Sequence, residues 1–182
     1  HGVERARARL QATPEHLRGW EWRHLWHRLD QSNATYLVSD RRMQSNMSAL
    51  DVSGDGRFVA AGCGGHLAIL DAKTGARLRY RSIRRAQDVA ISADGSLVAW
   101  QEEGKRIRMW RWQPDGSEVR QRATPRQSVS LAFSPDGQSL AAVAWGGTLY
   151  VWNLATSTRR EVRLGSEILE SVAFSSDGAW IA

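Results

Sequence analysis

The pattern Ser-x-Asp-Gly occurs four times in this chain, at Ser53–Gly56, Ser92–Gly95, Ser134–Gly137 and Ser175–Gly178. Its glycines are 39, 42 and 41 positions apart. A motif returning at that period argues against one irregular core, because units of this size bury their apolar faces only by stacking on neighbours. The motif has its own turn chemistry. Aspartate bonds to nearby backbone amides and glycine takes positive φ without steric cost. Asp55, Gly56, Asp94, Gly95, Asp136, Gly137, Asp177 and Gly178 are therefore read as the structural motif of the repeat, a tight turn inside a hairpin.

The flanks of each turn align residue by residue. Val52, Ile91, Phe133 and Phe174 precede the serine, and Leu50, Val89, Leu131 and Val172 stand two places earlier. That is the period of a strand presenting alternate side chains to one face. Ala90, Ala132 and Ala173 lie between, with Asp51 the exception. After the glycine come Val59-Ala60, Val98-Ala99, Leu140-Ala141 and Ile181-Ala182. Large residues on one face and small ones on the other suit a sheet covered closely on both sides. A third run follows at 66–71, 106–112 and 148–153, with Leu70, Trp110 or Trp152 at its marked position. A more polar fourth run is expected at 76–82, 118–123 and 159–164, after Thr74-Gly75, Asp115-Gly116 and Thr156-Ser157. Four strands per repeat make one blade of a β-propeller.

Residues 43–182 thus resemble the WD-repeat β-propeller family, on the four Ser-x-Asp-Gly turns and the tryptophans Trp110 and Trp152. The family's tryptophan-aspartate pair reads Leu70-Asp71, Trp110-Arg111 and Trp152-Asn153 here. Its glycine-histidine pair is replaced near Met43, Ser82, Thr124 and Gly165. The expected fold is mainly β, an incomplete WD-repeat propeller of four-stranded antiparallel blades with one or two N-terminal helices. Residues 34–182 form its partial propeller of about three and a half blades, and 1–33 a helical linker segment. The fourth repeat reaches Ala182 just inside its second strand, and Thr35–Ser39 supplies one spare strand. The expectation is an open arc with unpaired ends and a tendency to self-associate.

In the linker segment, Val3–Gln11 is rich in the helix formers Ala and Arg, and Thr13-Pro14-Glu15 reads as a capped helix start. Trp22, Leu25, Trp26 and Leu29 follow the spacing of one apolar helical face, ending near Asp30–Asn33, and this face is expected to dock on the propeller. His16, His24 and His27 read as helix surface. The stretch Leu17-Arg18-Gly19-Trp20-Glu21-Trp22-Arg23-His24-Leu25 resembles the segment preceding the C-terminal propeller of a group of bacterial serine/threonine protein kinases. The resemblance implies a kinase domain ahead of His1 and further blades beyond Ala182. No glycine-rich nucleotide loop, His-Arg-Asp loop or Asp-Phe-Gly occurs in this sequence, so no catalytic activity is expected of it.

No catalytic, cofactor-binding or metal-ligating set emerges elsewhere. Gly62-Cys63-Gly64-Gly65 and Trp145-Gly146-Gly147 lack the lysine and helix of a phosphate loop and read as hairpin turns. The single cysteine, Cys63, excludes an intramolecular disulfide and is expected in a turn or at a strand end. With 42% hydrophobic and 24% charged residues and no long apolar run, the composition is that of a soluble chain; cytoplasm is expected over secretion.

The net charge of +6 is nearly all arginine, since Lys73 and Lys105 are the only lysines. Arg77, Arg79 and Arg81 alternate with Leu78 and Tyr80, which places three cations on one face of an outer strand, as a solvated rim or a basic binding surface. Loops before each first strand carry Arg84, Arg85 and Arg126, and loops between second and third strands carry His66, Lys105 and Trp145. These six are the candidate partner-binding rim, because Arg and Trp anchor interfaces. Glu102, Glu103 and Glu167 dilute its charge. The expected function is a protein-interaction scaffold, the sensing or regulatory propeller of a larger bacterial signalling protein such as a kinase. The alternative is a nucleic-acid-binding propeller using its arginines.

Overall fold

A computed structural model of the chain describes residues 2–20, 22, 25, 47–102, 106–113, 118–123, 128–165 and 169–182. The chain divides into two compact units, His1–Tyr36 and Leu37–Ala182.

The first unit opens with helix α1 (Gly2–Gln11), where alanine and arginine favour the helical backbone. Thr13 does not cap a second helix. Its hydroxyl turns back and donates to the Arg9 carbonyl at 3.2 Å, at the end of α1. A single 3₁₀ turn, Glu15–Leu17, follows Pro14 without any side-chain cap. Arg18 donates from Nε to the Thr13 carbonyl at 2.9 Å and from Nη2 to the Gln11 carbonyl at 3.1 Å. Together with the Trp22 indole, which donates to the Leu10 carbonyl at 2.8 Å, it occupies acceptors that a helix end leaves open. The Arg18 guanidinium lies 5.0 Å from the Trp22 ring centroid. Trp20, Trp22 and Leu25 are helical, but Trp20 and Leu25 are exposed. His16 is exposed as expected; Trp26, Leu29, His24, His27, the helix end and the Thr35–Ser39 strand lie outside the described residues.

The second unit is a row of three four-stranded antiparallel sheets, each a simple meander. The first contains β1 (Met47–Val52), β2 (Phe58–Cys63), β3 (His66–Asp71) and β4 (Arg77–Ser82). The second contains β5 (Ala86–Ile91), β6 (Leu97–Glu102), β7 (Arg106–Arg111) and β8 (Glu118–Ala123). The third contains β9 (Ser128–Phe133), β10 (Ser139–Ala144), β11 (Thr148–Asn153) and β12 (Arg159–Arg163). Past β12, a fourth repeat begins with a bridge between Phe174 and Ile181 around the last Ser-x-Asp-Gly turn. Cys63 ends β2 and is buried.

Each turn closes identically. The Ser53 hydroxyl donates to Asp55 Oδ1 at 2.6 Å and accepts from the Phe58 amide at 3.0 Å, while the Arg57 amide donates to Asp55 Oδ1 at 3.0 Å. The same three bonds recur at Ser92/Asp94, Ser134/Asp136 and Ser175/Asp177. Gly56, Gly95, Gly137 and Gly178 all have φ near +70°, between 67° and 72°. The aspartate of the degenerate pair has a job of its own. Asp71 Oδ1 accepts the Lys73 and Thr74 amides at 3.0 and 2.7 Å, and Asn153 does the same for Ala155 and Thr156 at 3.1 and 2.9 Å. An amide oxygen serves that turn as well as a carboxylate does.

Packing runs from sheet to sheet. Val89, Ile91, Val98, Trp100 and Trp110 of the second sheet bury against Phe58, Ala60, Leu67 and Ile69 of the first. Ala90, Ala99, Ile107 and Met109 on its other face meet Leu131, Leu140, Ala142 and Trp152 of the third. In the inner two strands of the second sheet the larger residues Val89, Ile91, Val98 and Trp100 face the preceding sheet and Ala90 and Ala99 the following one, so neighbours nest. Leu50 and Val52, the first sheet's counterparts of Val89 and Ile91, are about half exposed.

One expectation about the outer strand fails. The β3–β4 register slips between Ile69 and Leu70, so Arg81 and Arg79 stand opposite Leu67 and Ile69 but Arg77 stands opposite Leu70. A bulge of this kind re-aims the residues beyond it. Arg77 consequently leaves the face of Arg79 and Arg81 and lies 5.1 Å from the Tyr80 ring centroid.

Candidate binding rim

The loops at one end of the sheets are tied together by backbone bonds. The Ile83 amide, just past β4, donates to the Gly65 carbonyl in the β2–β3 turn at 2.9 Å. In the third sheet Leu164 donates to Gly147 at 2.8 Å in the same way. Gly147 has no room for a side chain, since an added Cβ would stand 2.2 Å from the Gly165 carbonyl oxygen. In the first and third blades the loop after the fourth strand therefore lies against the turn between the second and third strands.

Of the six named rim residues, Arg84 enters a pocket, Arg85 is exposed beside it, and Trp145 is exposed (56%) at the tip of the β10–β11 turn. His66 opens β3 and is half-buried. It stacks on Tyr80 at 4.7 Å and 21°, which turns its ring along the sheet. Lys105 and Arg126 lie outside the described residues.

The pocket, about 280 Å³, opens between the first two sheets and is lined by Arg81, Ser82, Ile83, Arg84, Trp100, Glu102 and Arg108. Its floor is built on one buried carboxylate. Glu102 is only 5% exposed and is fully engaged: Oε2 accepts Arg108 Nε at 2.8 Å and Oε1 accepts Trp100 Nε1 at 3.2 Å. A charge buried to this degree is tolerable only when both oxygens are paired. Glu102 therefore does not dilute a surface field; it orients Arg108. Arg81 crosses from the first sheet to lie 5.2 Å from the Trp110 ring centroid in the second. Sequence reading put Arg81 on an outer-strand stripe with Arg77 and Arg79 rather than at a pocket, and passed over Trp100 and Arg108 because their strands were assigned to packing.

A second concave surface, about 790 Å³, is lined by the inner strands β1, β5 and β9 and the residues from Val172 to Ser176. Here side chains bond across sheets. Asp51 Oδ2 accepts the Ile91 amide at 2.8 Å, Asp88 Oδ2 accepts the Leu131 amide at 2.7 Å, and Ser130 Oγ accepts the Val172 amide at 3.4 Å. Burial pushes the Asp51 and Asp88 carboxyls above the ordinary aspartate range, against the pull of those amides, and the charge of Asp51 pushes Asp88 further. Among the described residues no helix is long and apolar enough to cross a membrane.

Relatives match this architecture. The family described as WD domain, G-beta repeat matches residues 116–153. The periodic tryptophan protein 2 homolog of Mus musculus is 33% identical over 73 residues, which is 40% of this chain and 8% of that protein. The β-propeller domain of Cps50 (Swd1) from Myceliophteria thermophila superposes with a TM-score of 0.64 at 15% identity, over 75% of this chain and 48% of that one. Kuenenia stuttgartiensis hydrazine synthase superposes with a TM-score of 0.67 at 17% identity, over 82% of this chain and 44% of that one. The chain thus spans under a tenth of the curated relative and about half of each solved chain, and the structural likeness at such identities is one of fold. With its recurring turns and stacked four-stranded meanders, the second unit has the fold of a partial β-propeller, three four-stranded blades and the opening of a fourth, and the WD repeat is matched over residues 116–153.

Proposed function

We propose that this chain is a protein-interaction scaffold that binds a peptide segment of its partner on the rim carrying Arg84, Arg85 and Trp145. The observation that carries the reading is the pairing of tied, shape-fixed loops with exposed anchor residues: bonds such as Ile83 to Gly65 preorganise the backbone, and a preorganised surface loses less entropy on binding. Propellers of this type generally serve protein association. The N-terminal stretch Leu17–Leu25 supports a parent that is a larger bacterial signalling protein such as a serine/threonine kinase.

The nucleic-acid alternative draws less support. Arg57, Arg77, Arg81 and Arg159 lie over the rings of Phe58, Tyr80, Trp110 and Tyr150, at 5.0 to 5.3 Å. Guanidinium groups held singly on separate aromatic faces do not form a continuous track for a phosphate backbone.

The test is selection of binders from a displayed library of random short peptides on the immobilised chain. Peptides whose binding is weakened by Trp145→Ala and Arg84→Ala but not by Arg160→Ala, an exposed outer-strand control, support the rim. Peptides lost with Arg160→Ala alone, or no selected peptide, overturn it.

A further inference from the structure

We infer that the pocket between the first two blades is a receptor for a single carboxylate side chain, so that the partner segment is an acidic peptide. The inference rests on the scaffold reading above and adds the chemistry of the ligand.

The first argument is a break in the repeat. In the paired second and third strands, Ala61 faces Ala68 in the first blade, and Ala142 faces Tyr150 in the third. The corresponding pair in the second blade is Trp100 and Arg108. One step further along, Cys63 and Ala144 correspond to Glu102. In the third blade, stacked on the second, these positions hold Ala142, Tyr150 and Ala144, which bury in the shared core without a charged group. The second blade instead installs an indole, a buried carboxylate and a guanidinium, all on the wall of one pocket. Nesting of blades does not account for that set, whereas a built polar site does.

The second argument is unspent charge. Among the described residues, three guanidinium groups, those of Arg81, Arg84 and Arg108, meet one carboxylate, Glu102. Arg108 commits Nε to Glu102, and its terminal nitrogens have no hydrogen bond among the described residues. Arg84 is exposed and has no ion pair or hydrogen bond among them. Arg81 is held by its face on Trp110, and a stacked guanidinium keeps its in-plane donors available. The pocket therefore presents convergent donors with excess positive charge, the arrangement that recognises a carboxylate by charge-assisted bonds.

Size and lining choose the occupant. Pockets for whole small molecules run from about 300 to 1,000 Å³, so about 280 Å³ takes a side chain rather than a nucleotide. Ile83 and Trp100 give the pocket apolar wall against which the methylene stem of a glutamate fits.

The experiment uses the same displayed library of random short peptides, with a selected peptide then synthesised in its acidic form and with each Glu or Asp replaced by Gln or Asn. Enrichment of acidic residues is expected, and amidation of one of them should weaken binding about tenfold or more, the loss of a charge-assisted contact. Arg84→Ala should weaken the acidic peptide by a similar factor and leave its amidated form unchanged. Because Arg84 is an exposed loop residue, that variant keeps the fold. Arg108→Lys, which keeps the charge but not the fork, should also weaken it. Rim-dependent peptides without acidic residues would overturn this inference and leave the scaffold reading standing; no selected peptide would overturn both. Equal competition by a short DNA duplex, lost with Arg84→Ala, would assign the pocket to nucleic acid and overturn the peptide.

Discussion

Asp51 reaches out of the first blade and accepts the backbone amide of Ile91 in the second at 2.8 Å, stapling two inner strands forty residues apart. Its position in the repeat is otherwise alanine, and at the next two joints Asp88 and Ser130, two places earlier in the repeat, accept the amides of Leu131 and Val172 instead. The bond is favourable, but the ion is in an unfavourable place: burial raises its pKa above 3.8, and the charge of Asp51 also raises that of Asp88.

The sign of the pH effect follows. A carboxyl that holds its proton more tightly in the fold contributes stability that is fully present below about 3.8 and is lost as pH rises through the raised folded value. Asp51→Asn keeps an oxygen acceptor and removes the charge. Its unfolding free energy should therefore gain on the wild type as pH rises from about 4 to about 7. Asp51→Ala removes the acceptor, leaves the Ile91 amide without its partner and should cost about 1 kcal/mol. Urea titrations across that range check both; an Asn variant that loses ground with rising pH contradicts the assignment.

The turn aspartates act in the opposite direction. Bonds from the Ser53, Ser134 and Ser175 hydroxyls, and from the following amides, hold Asp55, Asp136 and Asp177 below the usual value of 3.8. Their contribution is present above about 3.8 and lost as pH falls through the depressed values. Acid titration of Asp136→Asn should show a shallower loss of stability below that point than the wild type.

The four signature glycines are not equivalent. A Cβ on Gly95 would stand 2.2 Å from Phe58 Cδ2, because Phe58 of the first blade packs over the second blade's turn and meets Trp112 edge-on at 5.2 Å. Gly137 has nothing within 4 Å of that point. Both take positive φ, so both alanine variants carry backbone strain of about 1 kcal/mol. Gly95→Ala must also displace Phe58, an overpacking cost of about 1–3 kcal/mol more. Thermal melts should rank Gly95→Ala well below Gly137→Ala.

Gln101 offers a gain. It is fully buried on β6, and neither amide atom has a hydrogen-bond partner among the described residues. Its counterpart in the third blade is Val143. Replacing an unsatisfied buried amide by an apolar group of similar shape removes a desolvation cost of about 1–3 kcal/mol. Gln101→Met should raise the denaturation midpoint, and a lower midpoint would reveal a bond that the side chain makes.

Local chemistry made the turns and blades legible: serine, aspartate and glycine act on amides within five residues, and alternation along a strand is written in consecutive positions. What was not legible is decided across the chain. Asp51 stands out in the sequence as an exception among alanines, yet its partner amide is on another blade. Arg77 shares a sequence stripe with Arg79 and Arg81, and only the bulge beside Leu70 parts them. His66 sits at a loop like the other rim residues, but its face of the sheet gives it to Tyr80. Arg81, Glu102 and Arg108 become a pocket only because two blades stack, whereas Trp145 stays exposed at the tip of its own turn.

Trp152 tests the stacking itself. It is buried among Leu131 and Leu140 of its own blade and Ala90, Ala99, Ile107 and Met109 of the preceding one, with the Tyr150 ring 5.8 Å away. Truncation to alanine would open a cavity at the joint between blades, where neither sheet can collapse without breaking its register. The expected cost is about 3–5 kcal/mol, the range for large buried aromatics. Trp145→Ala, at an exposed turn, should stay within about 0.5 kcal/mol of the wild type. Chemical denaturation of the two variants side by side separates them, and a loss below about 1 kcal/mol for Trp152→Ala would mean that the blades do not share this core.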